Sequence, residues 1–388
     1  MRVLHINCNY IGTTLHQKMI EYLDGMGITN KVFVPTYDKN ISVIEANQNV
    51  CVCECFKKWD RIVFDYKQNK IYKGLESHIT VNQYDLIHAY TLFTDGNCAR
   101  KLSKKYGIPY VVAIRNTDVN DFFKLMPHLR KRGVDIMKDA SIIFFLSEAY
   151  KKQVFEKYIP KKYKDEIEKK VHIIPNGIDE FWIENTPVSK KKNSKSKEIH
   201  LVYAGKINKN KNIPTIQKAV NLLNKEGFNT TLTVVGNIED SNEFDKIQKD
   251  KNTVYFSARP KEDLINLYRK NDIFVMPSFK ETFGLVYAEA MSQGLPVIYS
   301  EGQGFDGQFP EGEIGFHVKS NSPEDLCIKI KKIIFSYDEL SSRAMKSAKK
   351  FSWASITEEY SEIYNVIGKA DVKLRGIINR NEKIIDYR

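Results

Sequence analysis

The sequence predicts an α/β chain of two doubly wound parallel-sheet domains facing a cleft. Three observations carry that reading. Short β-rich runs alternate with helical patterns along most of the chain, the signature of βαβ units. The β-rich runs, such as Ser141-Ile-Ile-Phe-Phe-Leu146, are continuously apolar, as expected of parallel strands covered on both faces. The rhythm breaks at a polar, lysine-rich stretch from Asn185 to Glu198 and then restarts, which reads as a linker between two domains.

In the first half, Val3–Ile6 reads as a strand. Leu15, Met19 and Leu23 then recur at four-residue intervals, as on one helix face, and Gly25 and Gly27 stop that helix. Strands follow at Lys31–Val34, Asp85–His88, Tyr110–Ile114, Ser141–Leu146 and Val171–Ile174, with a helix through Cys98 to Lys105. In the second half, Ile199–Tyr203, Thr230–Val235, Val254–Phe256, Ile273–Met276, Pro296–Tyr299 and Gly315–Val318 read as strands. Helical patterns cover Asn212–Asn224, Glu262–Lys270, Leu285–Gln293, Pro323–Ser336 and about Asp338–Lys349. The expected domains are residues 1–184 and 199–359, joined by 185–198.

Composition narrows the function classes. The 388 residues carry 60 Lys and Arg against 48 Asp and Glu, a net charge of +12, with 42% hydrophobic residues. That is ordinary globular composition, which excludes disorder, collagen and coiled coil for the whole chain. No run approaches the ~18 apolar residues of a membrane helix. The N-terminus lacks a signal-peptide pattern, so a cytoplasmic protein is expected. Six cysteines do not make a disulfide framework. Cys51, Cys53 and Cys55 have C-x-C spacing, which on a strand puts the thiols on one face; zinc sites favour C-x2-C, and no metal is expected. The positive charge points to an anionic partner. Nucleic acid is disfavoured, because the lysines lack an interleaved array of stacking aromatics or a recognisable module.

Ligands of doubly wound sheets sit beyond the carboxyl ends of the strands, so those segments bear the chemistry. After the first strand comes Cys8-Asn9-Tyr10-Ile11-Gly12-Thr13-Thr14, where Gly12 lets backbone amides approach a phosphate or sugar. It is not G-x-G-x-x-G, and no P-loop occurs anywhere. After the first strand of the second half comes Gly205-Lys206-Ile-Asn-Lys209-Asn-Lys211, three lysines on a strand-to-helix loop suited to a diphosphate. The most specific segment runs from Pro277 to Val297. Glu281 sits in its loop, Gly284 marks the helix entry, and Glu289 follows about one turn inside, a Glu-x7-Glu spacing. The carboxylates suit sugar hydroxyls, and the free N–H groups of Phe283, Gly284, Leu285 and Val286 suit phosphate or sugar oxygens.

These residues resemble the retaining glycosyltransferases of family 4, which have the GT-B fold of two Rossmann-like domains. The matching pieces are Ile174-Pro-Asn-Gly-Ile-Asp179, Gly205-Lys206 with Lys211, Val234-Val-Gly236, Pro277-Ser-x-x-Glu281-Thr282-Phe283-Gly284, Glu289-Ala-Met-x-x-Gly-x-Pro296 and Phe351-Ser-Trp353 with Tyr360 and Tyr364. The resemblance implies C-terminal helices that cross back, so that about 360–388 join the first, acceptor-side domain. It implies a nucleotide-diphosphate sugar as donor, bound by the second domain. Lys206 and Lys211 would neutralise the diphosphate, Glu281 would hold donor-sugar hydroxyls, and Glu289 the ribose hydroxyls. Backbone near Ala258 and Arg259 would frame the base, and Gly12 would approach the diphosphate. No cofactor or metal is implied. Arg115-Asn-Thr-Asp118 stands where many relatives carry a histidine. Arg115 is a candidate for an acidic acceptor or a phosphate, and Asp118 for the acceptor's proton or hydroxyl; the alternative is a structural ion pair. His16 and His88 are further acceptor-side candidates.

The leading expectation is a glycosyltransferase acting on a saccharide or lipid-linked saccharide in bacterial surface polysaccharide or glycoconjugate assembly. An epimerase or phosphorylase on the same fold is the alternative, and a basic nucleic-acid-binding protein a remote one. Lys124, Arg130, Lys131 and Arg132, interleaved with Phe122, Phe123, Leu125 and Met126, suit a peripheral contact with an anionic membrane surface; a buried helix with a basic face is the alternative.

Overall fold

The computed structural model describes residues 1–11, 14–38, 49–193 and 196–368. The chain divides into two compact units. One contains Met1–Leu146, Lys151–Ile174 and the chain from Ile356; the other contains Ser147–Tyr150 and Pro175–Ser355.

The first unit has a seven-stranded sheet of β1 (Arg2–Ile6), β2 (Thr29–Thr36), β3 (Val50–Glu54), β4 (Leu86–Ala89), β5 (Tyr110–Ile114), β6 (Ile142–Phe145) and β7 (Val171–Ile173). Its order is β3-β2-β1-β4-β5-β6-β7, and every pair is parallel. The second unit has β8 (Glu198–Ala204), β9 (Asn229–Val235), β10 (Thr253–Phe256), β11 (Ile273–Met276), β12 (Val297–Ser300) and β13 (Gly315–Val318), all parallel in the order β10-β9-β8-β11-β12-β13. Strand order reverses between β1 and β4 in one sheet and between β8 and β11 in the other. Beyond the carboxyl ends at such switch points an open α/β sheet leaves room for a ligand.

Central strands are buried throughout, as the apolar runs predict: β4, β5, β11 and β12 expose no residue. The lysine-rich stretch after Asn185 is tied to the second unit. Lys190 donates to the carbonyls of Tyr268 (3.0 Å) and Asn271, at the C-terminal end of the helix Lys261–Lys270, where free carbonyls favour a cation. Lys192 pairs with Asp272 at 2.8 Å. Two motifs far apart in sequence meet in this unit. Ile178 N–H donates to the Phe351 carbonyl (2.8 Å), and a Cβ on Gly177 would lie 2.5 Å from the Trp353 ring, so only glycine lets that indole pack.

Residues 353–368 are helical, and Tyr360 and Tyr364 pack in the first unit against His88. His88 is fully buried on β4, stacked on Tyr90 with ring centroids 4.2 Å apart, and its Nδ1 lies 2.5 Å from the Tyr364 hydroxyl. Burial drives its pKa well below the usual imidazole value, so the ring is neutral. Replacing Tyr364 with Phe strands that buried nitrogen. The expected cost is about 1–3 kcal/mol, the desolvation of an unpaired polar group. Thermal denaturation reads it at about 2–4 °C per kcal/mol for a unit of this size. An unchanged melting temperature would show that the contact carries no weight.

Candidate active site

In the second unit the residues beyond β8, β9 and β11 are knitted together. Asn208 caps a 3₁₀ turn over Lys209–Lys211 by accepting from Lys211 N–H (3.2 Å). Asn212 follows in the left-handed region, at φ 55°, and donates to the Pro277 and Ser320 carbonyls at 3.1 and 2.5 Å. Phe279 N–H donates to the Asn210 carbonyl at 2.9 Å, and Asn210 Nδ2 to the Lys280 carbonyl at 2.9 Å. The lysine loop is thereby held against the loop that carries Glu281. Lys211 Nζ sits 2.5 Å from Glu281 Oε2, and both side chains are largely shielded from solvent. Glu281 is fixed from both ends: its second oxygen accepts from Thr282 N–H (3.1 Å), and its own N–H donates to Gln303 Oε1 (3.0 Å).

Lys206 lies differently. Its ammonium is two-thirds exposed and pairs with Glu239 at 2.5 Å. The backbone beneath it is tight. Gly236, at φ 155°, would place a Cβ only 1.8 Å from the Gly205 carbonyl oxygen. The helix Leu285–Ser292 begins at Gly284, whose φ of 76° suits glycine and whose missing Cβ leaves room for the Tyr287 ring. Phe283 is buried, while Thr282, Leu285 and Val286 are half-buried at that helix entry. Glu289 lies on the same helix, half-buried; burial and the nearby Asp179 push its carboxyl up to about 7. Ala258 and Arg259 are exposed in the loop beyond β10, where the Arg259 guanidinium lies 6.0 Å from the Phe256 ring.

Sequence reasoning missed several contributors. Gln303 and Gly304, in a Gly-Gln-Gly turn, grip the backbone of Glu281: Gly304 N–H donates to the Glu281 carbonyl at 2.9 Å. Asp179 and Lys261 form a 2.7 Å pair in the surroundings of Glu289. The cluster of asparagines at 208, 210 and 212 was a legible signal of caps and a left-handed turn.

The first unit holds the acceptor-side candidates. Gly12 lies outside the described residues. His88 is inside the core, under Tyr90 and the two C-terminal tyrosines, fully buried. Asp118 is fully buried and spends both oxygens on backbone: it accepts from Leu92 N–H (3.0 Å), Phe93 N–H (3.1 Å) and Arg115 N–H (2.9 Å). Desolvation nevertheless pushes its carboxyl up to about 6. It clamps the chain after β4 and β5 through these three bonds. Arg115 meets Asp118 through its backbone N–H, while its Nε donates to the Tyr90 carbonyl at 3.3 Å. His16 is buried edge-on to Tyr90, its Nδ1 2.9 Å from Asn7 Nδ2, and burial lowers its pKa to about 3.

A cavity of about 520 Å³ does open beyond the carboxyl ends of β1, β2, β4 and β5. Asn9, Thr36, Thr91 and Lys67 supply part of its polar wall, Phe56 and Phe122 part of its apolar wall. Of the four acceptor-side candidates, Asp118 alone is among its lining residues.

Comparison with known proteins matches this geometry to a family. The family model described as Glycosyltransferase Family 4 matches residues 14–180, and that described as Glycosyl transferases group 1 matches residues 185–351. The D-inositol 3-phosphate glycosyltransferase of Corynebacterium kroppenstedtii is 34% identical over 113 residues, 28% of this chain and 25% of that protein. The matched stretch thus spans about a quarter of the length of the first curated relatives. The capsular polysaccharide biosynthesis glycosyltransferase CapM of Staphylococcus aureus is 26% identical over 246 residues, 59% of this chain and 63% of that one. The crystal structure of Anabaena Alr3699/HepE in complex with UDP-glucose superposes with a TM-score of 0.64 at 16% identity, covering 94% of this chain and all of that one. With a family 4 model on its first half, a group 1 model on its second and the two Rossmann-like sheets of the GT-B fold, the chain belongs to the family 4 glycosyltransferases.

Proposed function

We propose that this protein is a retaining glycosyltransferase. It takes a sugar from a nucleotide-diphosphate sugar and gives it, with anomeric configuration kept, to a hydroxyl of a saccharide or lipid-linked saccharide. The observation that carries this reading is the Lys211–Glu281 pair, held at 2.5 Å where the loops beyond β8 and β11 meet. In the free protein the two charges satisfy each other. A diphosphate competes for Lys211 and frees the Glu281 carboxylate to accept hydrogen bonds from the donor-sugar hydroxyls. As the bond between the sugar and the diphosphate breaks, negative charge grows on the leaving group. Lys211, Lys206 and the amides at the entry of the helix Leu285–Ser292 stabilise it where they already stand. The lysines supply the positive charge, so no resident metal is needed. Glu289 accepts hydrogen bonds from the ribose hydroxyls, and the backbone at Ala258 and Arg259 borders the base.

Two likenesses support the substrates: the Anabaena protein is seen with UDP-glucose, and the Staphylococcus relative is named for capsular polysaccharide biosynthesis. We place the reaction in assembly of a bacterial surface polysaccharide or glycoconjugate, in the cytoplasm at the inner face of the membrane. The cavity beyond β1, β2, β4 and β5 is the acceptor's place.

The test is a panel of nucleotide diphosphates scored by melting temperature, since a ligand of the native state raises it. At least one nucleotide is expected to stabilise the protein, and its sugar conjugate to support transfer or slow hydrolysis. A flat panel would sink the reading. Glu289 adds a pH signature. Its carboxyl, up from 4.5 to about 7, must ionise to accept two ribose hydroxyls. Nucleotide affinity should therefore rise about tenfold from pH 6 to pH 8, following the ionised fraction. Calorimetric titration of Glu289→Gln should show no such slope. The sign for folding is opposite: a raised carboxyl binds its proton better in the native state, so the free protein loses stability as pH climbs from 4.5 to about 7.

A further inference from the structure

Residues 57–66 and 121–132 of the first unit lie side by side. The rings of Phe64 and Phe122 are 5.8 Å apart, and Arg132 reaches across to Asp65, with Nη2 3.2 Å from Oδ2, over the face of Phe64. Together the two segments turn an apolar group outward: Trp59 is 65% exposed, Ile62 86%, Val63 58%, Tyr66 53% and Leu125 66%. This outward aim is built in. Within the 3₁₀ turn Lys58–Ile62, Asp60 is buried and accepts from Lys57 N–H and Lys70 Nζ, both at 2.7 Å. With Asp60 pinned inward, Trp59 and Ile62 face solvent. Phe123, read from sequence as part of a basic and apolar surface, is instead buried; of that run Leu125 is the strongly exposed apolar residue.

The charge around this patch is predominantly positive. The two segments hold seven Lys and Arg against three Asp, and two of those, Asp60 and Asp65, are already paired with Lys70 and Arg132. Aliphatic side chains give nothing to a nucleic acid, and a cationic rim around aliphatic and indole groups matches anionic headgroups over acyl chains. Tryptophan and long lysines suit that boundary, with the ring at headgroup depth and the ammoniums extended toward phosphate. Ile62, Phe64 and Phe122 also line the 520 Å³ cavity.

We propose that Trp59, Ile62, Val63 and Leu125, ringed by Lys57, Lys58, Arg61 and Lys124, dock the first unit on an anionic lipid bilayer. The cavity then meets the lipid surface. This deepens the lipid-linked acceptor reading, but docking is measured without any substrate.

The experiment is flotation of the full chain with vesicles of phosphatidylcholine alone or with about one-third phosphatidylglycerol. Binding to the anionic vesicles, weakened by salt, and little binding to neutral ones are expected. Ile62→Ser with Leu125→Ser should lower the bound-to-free ratio about tenfold or more, since each removes an inserted apolar group. Lys58→Glu with Lys124→Glu should lower it by a separate route. Both variants change exposed side chains, so melting temperature and nucleotide-induced stabilisation should match the parent protein. A failed nucleotide reading would show in that second measurement alone. Equal binding to both vesicles, or variants that float like the parent, would overturn the proposal. So would a parent protein that self-associates without lipid and becomes monomeric in the apolar variant, which would make the patch an interface between copies.

Discussion

Lys211→Ala is expected to lower kcat/KM for donor turnover about 10²–10³-fold, the usual loss when one preorganised stabiliser of developing charge is removed. Three features set the size. The ammonium is largely shielded, so its field on a diphosphate is weakly screened. It is fixed by the Asn208 cap and the Asn210 and Asn212 anchors, so little reorganisation is needed when charge develops. Its removal leaves the Glu281 carboxylate, also shielded, without its cation and beside an anionic donor. The loss should fall mainly in kcat, because leaving-group charge is greatest in the transition state. Lys206→Ala should cost far less, since that ammonium stands in solvent with Glu239 as its partner. Steady-state kinetics of both variants on one donor check the contrast. Equal losses, or a Lys211 variant with parental kcat, would refute the assignment of Lys211 to the leaving group.

Gly236→Ala is expected to be among the most damaging single-methyl additions in the second unit. Its Cβ would stand 1.8 Å from the Gly205 carbonyl oxygen, and that oxygen belongs to backbone that cannot rotate away. The φ of 155° adds strain for any residue with a Cβ. The strand ends must part, which breaks the run of bonds from Gly205 N–H to the Val235 carbonyl (2.9 Å) and Ile207 N–H to the Asn237 carbonyl (2.8 Å). A loss of about 3 kcal/mol or more is expected for overpacking and strain of this kind. In a unit of this size that is a fall of about 6–12 °C in melting temperature. The lysine loop moves with Gly205, so nucleotide-induced stabilisation should vanish even at temperatures where the variant is folded. A variant that melts like the parent and still binds nucleotide would show that the two loops separate freely.

The donor side was legible because its chemistry is local. Glu281, Gly284 and Glu289 lie within one strand–loop–helix, so spacing related them, while Lys211, on the loop after β8, was joined to them by the family resemblance and meets Glu281 in the structure. The sheets were legible for a related reason: strands buried on both faces read as apolar runs whatever packs on them. Helices were harder. Phe64–His78, Arg130–Asp139, Glu148–Lys157 and Lys161–Glu168 carry few apolar residues and many charges, although Ile167 of the last is buried. The strand Val50–Glu54 was read only as a cysteine pattern. The acceptor-side candidates were less legible, because their surroundings are decided by burial. Nothing in Arg115-Asn-Thr-Asp118 says that the carboxylate turns inward to three backbone amides, and nothing near His88 says that Tyr364, 276 positions away, closes over it. Likewise, no spacing rule joins Trp59 and Ile62 to Leu125.

The position of Tyr360 and Tyr364 also bears on how the chain is made. The ribosome completes β1 to β7 early, but the helix that covers His88 is synthesised only after the whole second unit. Until then the emerging first unit carries an uncovered aromatic and imidazole layer on its central strand. The second unit, with its motifs at Gly177 and Trp353 both in hand by that point, can complete its own core first. Domains usually fold in order of synthesis, N-terminal first. Here a helix made after the second unit finishes the first, and a chain cut short after Ser355 would leave the first unit exposed to chaperones and proteases.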